Sequence, residues 1–399
     1  MSNSGVEDWL LEAAGSERVW FVKRLSANDT GATGSHQVGM YLPKQAVRVL
    51  FPGLLEEKSA NPKRDCFVKF GSHASEADTA VTFYNQRTRN EVHMTRWGGK
   101  SSPIQDPDQM GALLVLSFPQ HVGAPREAMA WLARTPEEED TLEAICGDVL
   151  PGDGRLYFLS GEHVVAPGRS SCWLSPAEIK PEWKKEFPST ETLMRLAIER
   201  RPQATTMKVD RRLMERRACE EQIFFSVEEA CVLPSLKNGF TSIDAFIRSA
   251  LSVTNRRKSR AGKSLELHVR QILQEEQVKF THNAITEGQK RPDFIFPTID
   301  DYLNPRFPAE KLRMLAVKTT CKDRWRQVIN EANRLAQHKK HLLTLQEGVS
   351  VTQFSEMRDE NIQLVVPASL LKKFPPKIRP ELMVFGDFIR EVRSLVRGA

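Results

Sequence analysis

Pro292-Asp293-Phe294-Ile295-Phe296, followed across a polar spacer by Arg313-Met314-Leu315-Ala316-Val317-Lys318, reads as two neighbouring strands with an acid at the start of one and an amine at the end of the other. Side chains alternate along a strand, so Phe294 and Phe296 share one face, as do Leu315 and Val317, which leaves Ala316 and Lys318 on the opposite side. Adjacent strands of this kind would present Asp293 and Lys318 side by side. Downstream, Leu342–Leu345 and Ile362–Val366 are further strand candidates. They alternate with segments of helical periodicity at 324–340 and 351–359. Upstream, Leu265, Val269, Ile272 and Leu273 have helical spacing in a segment that follows Gly262 and opens at Ser264, a cap residue type. Residues 192–201 and 219–233 are also helical in pattern. The C-terminal half is therefore expected to be an α/β domain with a mixed sheet flanked by helices.

The N-terminal half is patterned differently. Short apolar runs at 38–43, 48–52, 66–70, 113–118 and 154–161 are broken by Gly, Pro, Asn and Asp, the spacing of a mainly β domain. One stretch, 126–145, has helical periodicity. Text rich in Pro, Ser and charge then separates the halves, which predicts a division into domain 1–168, linker 169–190 and domain 191–399. A length of 399 residues exceeds what one core usually supports, in keeping with two domains. With 57 Lys and Arg against 51 Asp and Glu, the net charge of +6 is compatible with a polyanionic partner. The six cysteines (Cys66, Cys146, Cys172, Cys219, Cys231, Cys321) form no CxxC pair and are expected to be reduced thiols. No basic, apolar leader and no long apolar run occurs, which predicts a cytoplasmic protein outside any membrane.

Phosphodiester hydrolysis needs an activated water, relief of charge on the pentavalent phosphate and help for the leaving oxygen; carboxylates holding Mg²⁺ beside a lysine supply these together. Asp293 and Lys318 are joined as candidates by Glu266, just off the apolar stripe of the preceding helix, and by Glu331, on the predicted helix after Lys318. By pattern alone, surface acids and a strand-end lysine are the commoner explanation.

Longer stretches make the pattern specific. SVTNRRKSRAGKSLELHV at 252–269, AITEGQKRPDFIFP at 284–297 and LRMLAVKTTCKDRWRQVINEA at 312–332 resemble the EcoRII family of restriction endonucleases. FVKRLSANDTGATGSHQVGMYLP at 21–43 and TRNEVHMTRWGG at 88–99 are similar to the effector domain of that family. The resemblance implies a C-terminal PD-(D/E)XK nuclease domain that dimerises, and an N-terminal β pseudobarrel of B3 type. It also implies a type IIE enzyme that needs Mg²⁺, recognises CCWGG on double-stranded DNA and cuts before the first cytosine. A second copy of the site, bound by the N-terminal domain, would relieve autoinhibition. A companion cytosine-5 methyltransferase, not a bound subunit, is implied in the host.

Residue by residue, the resemblance carries the catalytic and metal-binding roles to Glu266, Asp293, Lys318 and Glu331. It assigns Lys322, Asp323 and Arg324 to reading G·C pairs, whose guanine O6 and N7 acceptors suit Lys and Arg donors and whose cytosine N4 suits an Asp. Arg217 is carried over as a contact near the central base pair, and Lys258 and Arg260, in the basic run 255–260, are expected at phosphate. Lys23, Arg24, His36 and Tyr41 fall on one effector DNA-contacting segment, and Arg87, Arg89, Glu91 and Arg96 on a second. Val92 and His93 depart from the family's basic pair. The alternative is a catalytically silent DNA-binding regulator of the same fold, which would not need four charged groups gathered at one place.

Overall fold

The computed structural model describes residues 5–15, 17–33, 39–121, 126–149, 154–158, 172–322 and 324–397. The chain divides into two compact units, one made of Met1–Ala166 with Gln346–Phe354 and Lys372–Arg379, the other of Pro167–Leu345, Ser355–Leu371 and Pro380–Ala399.

The first unit contains α1 (Val6–Ala13), β1 (Arg18–Arg24), β2 (Met40–Leu42), α2 (Lys44–Leu50), β3 (Lys63–Phe70), β4 (Ser75–Tyr84), β5 (Glu91–Thr95), β6 (Leu113–Pro119), β7 (Arg126–Leu132), α3 (Pro136–Cys146) and β8 (Arg155–Phe158). The strands form one curled sheet, a pseudobarrel, in the order β2-β5-β4-β3-β7-β6-β1-β8. All its pairings are antiparallel except β3 with β7. Strand β1 explains how one sheet can hold two cores. Val19 and Phe21 pack into an apolar cluster on one face, while Trp20 and Val22 join Trp9, Trp131 and Leu142 on the other.

The same alternation corrects the expectation of a helix across 126–145. Ala128, Ala130 and Leu132 enter the first cluster, Met129 and Trp131 the second, so period two wins and only Pro136–Cys146 is helical. Thr135 caps that helix by accepting a hydrogen bond from the Glu138 N–H. The apolar run at 48–52 is corrected in the other direction. It closes helix α2, whose Ala46, Val47 and Leu50 are buried.

The second unit opens with α4 (Pro181–Lys185), α5 (Thr190–Arg200), α6 (Val209–Asn238) and α7 (Ile243–Glu275). Then follow β9 (Thr281–His282), β10 (Phe294–Phe296), α8 (Ile299–Leu303), β11 (Arg313–Lys318), α9 (Arg326–Ile329), β12 (Lys340–Thr344), α10 (Val351–Asp359, whose start belongs to the first unit), β13 (Ile362–Val366), β14 (Met383–Val384) and α11 (Phe385–Arg397). The six-stranded sheet runs β14-β13-β12-β11-β10-β9. Its β9, β10 and β11 are antiparallel, and β11 to β14 are parallel.

Of the stretch 169–190, residues 172–190 pack against the helices. Cys172, Leu174, Ile179 and Trp183 form an apolar cluster with Leu193, Ala197, Cys219, Ile223, Phe224 and Val227. Cys172 and Cys219 are joined in a disulfide, which corrects the expectation of six reduced thiols. Cys66, Cys146, Cys231 and Cys321 are in no disulfide. Two helix boundaries are also corrected. Helix α7 begins at Ser242, whose hydroxyl accepts from the Ala245 N–H, so Ser264 is an interior position. Nor is 324–340 one helix: it breaks after Ile329, and Ala332 takes a left-handed φ of 47°. Among the described residues, no helix is long and apolar enough to cross a membrane.

Candidate active site and nucleic-acid-facing surfaces

Register places the first two candidates. Phe294 pairs with Leu315 in the antiparallel β10–β11 ladder, and continuing by one residue sets Asp293 opposite Ala316. Directly opposed residues project to the same face, so Asp293, Ala316 and Lys318 share one side of the sheet. The Val317 N–H donates to Asp293 Oδ2 (2.7 Å), tying the carboxylate to β11. Burial raises the Asp293 pKa and the Glu266 charge adds to this; Lys318 and the Val317 N–H pull the other way.

Glu331 lies in the turn after α9, not on a helix as expected from sequence. Burial, with Asp293 nearby, pushes its carboxyl up to about 7 against the attraction of Lys318, Lys340 and Lys290. Its Oε2 is buried and accepts no hydrogen bond. Such an atom is costly to leave unmatched, and a carboxylate pair beside it is the chemistry of a hard cation site.

Glu266, on α7, is differently occupied. Burial alone would raise its pKa, yet hydrogen bonds from His282 Nε2, from Lys263 Nζ (3.0 Å) and from Asn283 Nδ2 (2.9 Å) hold it down to about 2. His282 and Asn283 were not singled out in the sequence; the place of His282 on β9, and of Asn283 just after it, beside β10 is visible only once the strands pair. Among the described residues, no three His, Cys, Asp or Glu side chains converge tightly enough to hold a metal ion. Lys318 and Asp293 both act electrostatically on Glu331, and Lys318 and Glu266 on Asp293, while Glu266 is bonded to its own donors.

The remaining candidates separate into surface and interior. Lys322 and Arg324 are half-buried just beyond β11, and Asp323 lies outside the described residues. Lys258 is exposed and, with Ser252, Asn255, Arg256 and Ser259, lines a shallow groove on α7. Arg260 and Arg217 are corrected from DNA-facing to interior. Arg260 pairs with Glu220 (3.6 Å) and stacks over Phe224, and Arg217 donates to Ala261 O between α6 and α7. Both lie on helix faces turned toward the core.

Lys23 and Arg24 are corrected in the same way. They end β1, which is flanked by strands on both sides, and their charges are met inside. Lys23 Nζ pairs with Asp29 (2.8 Å). Arg24, 4% exposed, pairs with Glu139 (3.0 Å) and Glu143 (2.6 Å) and donates to the carbonyls of Val149 and Gly111. His36 lies outside the described residues.

Tyr41, Arg87, Arg89 and Arg96 are exposed, and Glu91 is partly so. Tyr41, 44% exposed on edge strand β2, pairs across the ladder with His93, whose ring also meets Tyr84 edge-on. Arg89 sits over Tyr84, and Glu91 lies 3.5 Å from His93. Val92 points the other way, into the core. The sheet therefore ends in aromatic rings bordered by guanidinium groups, a surface able to meet phosphate and sugar. Elsewhere, Tyr302 is buried and donates to Glu287, and Trp97, Trp325 and His341 are interior.

Comparison with known proteins bears on both units. The family described as "EcoRII C terminal" matches residues 224–389, and the one described as "Restriction endonuclease EcoRII, N-terminal" matches residues 14–160. The chain is 43% identical over 407 residues to the type II restriction enzyme EcoRII of Escherichia coli, spanning 99% of each protein. It is 26% identical over 156 residues to the type II restriction enzyme SsoII of Shigella sonnei, covering 37% of this chain and 50% of that protein. Among solved structures, the restriction endonuclease PspGI in complex with substrate DNA is similar with a TM-score of 0.46 and 17% identity, covering 57% of this chain and 97% of the other.

Proposed function

Because the chain belongs to the EcoRII family of type II restriction endonucleases, we propose that Asp293, Glu331, Glu266 and Lys318 form its hydrolytic centre, acting with Mg²⁺ on double-stranded DNA at CCWGG and cutting before the first cytosine. One observation carries the reading: a buried carboxylate oxygen of Glu331 has no hydrogen-bond donor, and Glu331, Asp293 and Lys318 act electrostatically on one another.

The donor set suits the ion. Asp293 and Glu331 would hold it, both being hard oxygen ligands already gathered and partly dehydrated. When bound, Mg²⁺ polarises the phosphate and makes its water more acidic. Lys318 offsets charge on the phosphate oxygens and orients the attacking water. The Val317 N–H keeps Asp293 from rotating away. Glu266, held ionised by His282, Lys263 and Asn283, adds negative potential at Asp293.

Recognition follows the surfaces. Lys322, Asp323 and Arg324 would read the G·C pairs, and Lys258 would meet phosphate. Tyr41, Arg87, Arg89, Glu91, Arg96 and, in addition, Tyr84 and His93 would contact a second copy of the site and so release cleavage. A homodimer is supported by the first half of α7. Residues 241–255 include no buried side chain, while Ile243, Phe246, Ile247 and Leu251 are exposed and only Asp244 and Arg248 are charged. Four helical turns with no packed face are marginal in water, and an uncharged apolar stripe of this size is the mark of an interface. A second copy fits it. An antiparallel pairing about Phe246 would set Asp244 against Arg248 of the partner subunit.

Asp293→Ala and Lys318→Ala test the centre. Cleavage in Mg²⁺ should vanish while gel-shift binding of the site in Ca²⁺ remains. Loss of binding with loss of cleavage would remove the assignment of these residues to chemistry.

A further inference from the structure

The turn that delivers Glu331 is held by two amines from separate parts of the chain. Lys340 Nζ, at the first position of β12, donates to Ile329 O (2.5 Å), and Lys290 Nζ, from the loop before β10, donates to Asn330 O (2.6 Å). They grip consecutive carbonyls immediately before Glu331. On the far side of it, the Arg334 N–H bonds to Glu287 Oε1 and Tyr302 Oη, and the Arg334 guanidinium donates to the carbonyls of Asp301, Tyr302, Asn304 and Phe307. Between these anchors Ala332 takes its left-handed backbone.

Lys340 is 3% exposed, yet its ammonium meets a backbone carbonyl and not an ion-pair partner. A buried charge of that kind is unfavourable unless nearby anions compensate, and the carboxylates acting on it are Glu331 first and Glu287 after it. The Lys290 ammonium acts on the same carboxylate. Neither lysine is needed to offset phosphate charge, since Lys318 already occupies that place on the sheet face.

We propose that Lys290 and Lys340 are positioning residues that fix the reach and orientation of Glu331 toward Asp293, and thereby set how tightly the centre takes up a divalent cation. The proposal rests on the assignment of Glu331 to the hydrolytic centre. A purely architectural role would lower stability alone. A positioning role must act through Glu331.

Full-length wild type, Lys340→Met, Lys290→Met, Lys290→Arg, Glu331→Gln and the lysine substitutions combined with Glu331→Gln are compared. Ca²⁺ affinity is measured by calorimetry on enzyme bound to an uncleaved duplex, the Mg²⁺ concentration for half-maximal cleavage is measured separately, and melting is recorded for each variant. Removing a group that orients a metal ligand costs about tenfold or more in ion affinity, so Lys340→Met should weaken Ca²⁺ binding about tenfold and Lys290→Met several-fold. Lys290→Arg should restore it. In the Glu331→Gln background neither lysine substitution should weaken binding further. Lys290 is half-buried, so Lys290→Met carries the test if Lys340→Met fails to fold. Unchanged ion affinity in folded Lys290→Met, or equal losses with and without Glu331, would overturn the proposal. Wild-type Ca²⁺ affinity in Glu331→Gln would instead overturn the assignment of Glu331, and the proposal with it.

Discussion

Replacing Arg24 with methionine separates an interior role from a DNA-contacting one. The guanidinium makes four contacts: Nε to Val149 O (2.9 Å), Nη1 to Gly111 O (2.9 Å) and to Glu139 (3.0 Å), and Nη2 to Glu143 (2.6 Å). Methionine fills much of the aliphatic volume and removes every donor. Two carbonyls and two carboxylates are then left in a region closed to water, and breaking a buried ion pair from one side costs about 3–5 kcal/mol. For a domain of this size that corresponds to a fall in melting temperature of roughly 10 °C. Calorimetry on the full chain reads the N-terminal transition, and a gel shift with a single-site duplex reads effector binding below it. The expected result is a much lower transition with DNA binding retained while the domain is folded. Adding Glu139→Gln and Glu143→Gln should recover part of the loss, because the uncompensated charges are gone. A variant that melts with the wild type but no longer binds DNA would refute the interior assignment and return Arg24 to the DNA surface.

Other outcomes follow from the same structure. Glu220, buried between α6 and α7, is held down to about 2 from 4.5 by hydrogen bonds and charge from His268, Arg260 and Ser264, against the effect of burial. A depressed carboxylate contributes above its unfolded value and loses that contribution as pH falls through its folded one. The stability gap between wild type and Glu220→Gln, on the order of 3 kcal/mol, should therefore stay constant from pH 7 to 5 and close between 4.5 and 2 in urea titrations. Deleting residues 1–166 should free cleavage of single-site DNA, whereas deleting through 185 should also destabilise the fragment by several kcal/mol, since Leu174, Ile179 and Trp183 leave the core; continued dependence of the shorter deletion on a second site would sink the gating model. Phe246→Asp should shift the protein to monomer in sedimentation without lowering its melting temperature, and an unaltered dimer would place the interface elsewhere.

How much was legible in sequence depended on whether local pattern or tertiary pairing decided the outcome. Strands Arg313–Lys318, Lys340–Thr344 and Ile362–Val366 were legible because fully buried strands are continuous apolar runs bounded by polar text. Asp293 and Lys318 were placed side by side by alternation alone, and the ladder register agrees. The stretch 126–132 misled because a strand covered on both faces is apolar at nearly every position, which helical periodicity imitates. Lys23, Arg24, Arg217 and Arg260 were misread because a basic residue in a resemblance says nothing about burial; the acids that meet Arg24 and Arg260 and the carbonyl that meets Arg217 come from segments distant in the chain, and Lys23 turns inward to the nearby Asp29. His282, Lys290 and Lys340 carried no motif at all. Only the folding of three segments around Glu331 and Glu266 gives them a place.

Helix α7 runs unbroken for 33 residues, with Ile247 near one end and Glu266 near the other, roughly 28 Å apart at 1.5 Å per residue. If two copies meet through its outer half, each rod carries its own scissile machinery at a set offset from the symmetry axis. The stagger between the two nicks is then a length written into one helix, and inserting or deleting residues in its middle should alter the overhang left on the product ends before it alters which bases are read.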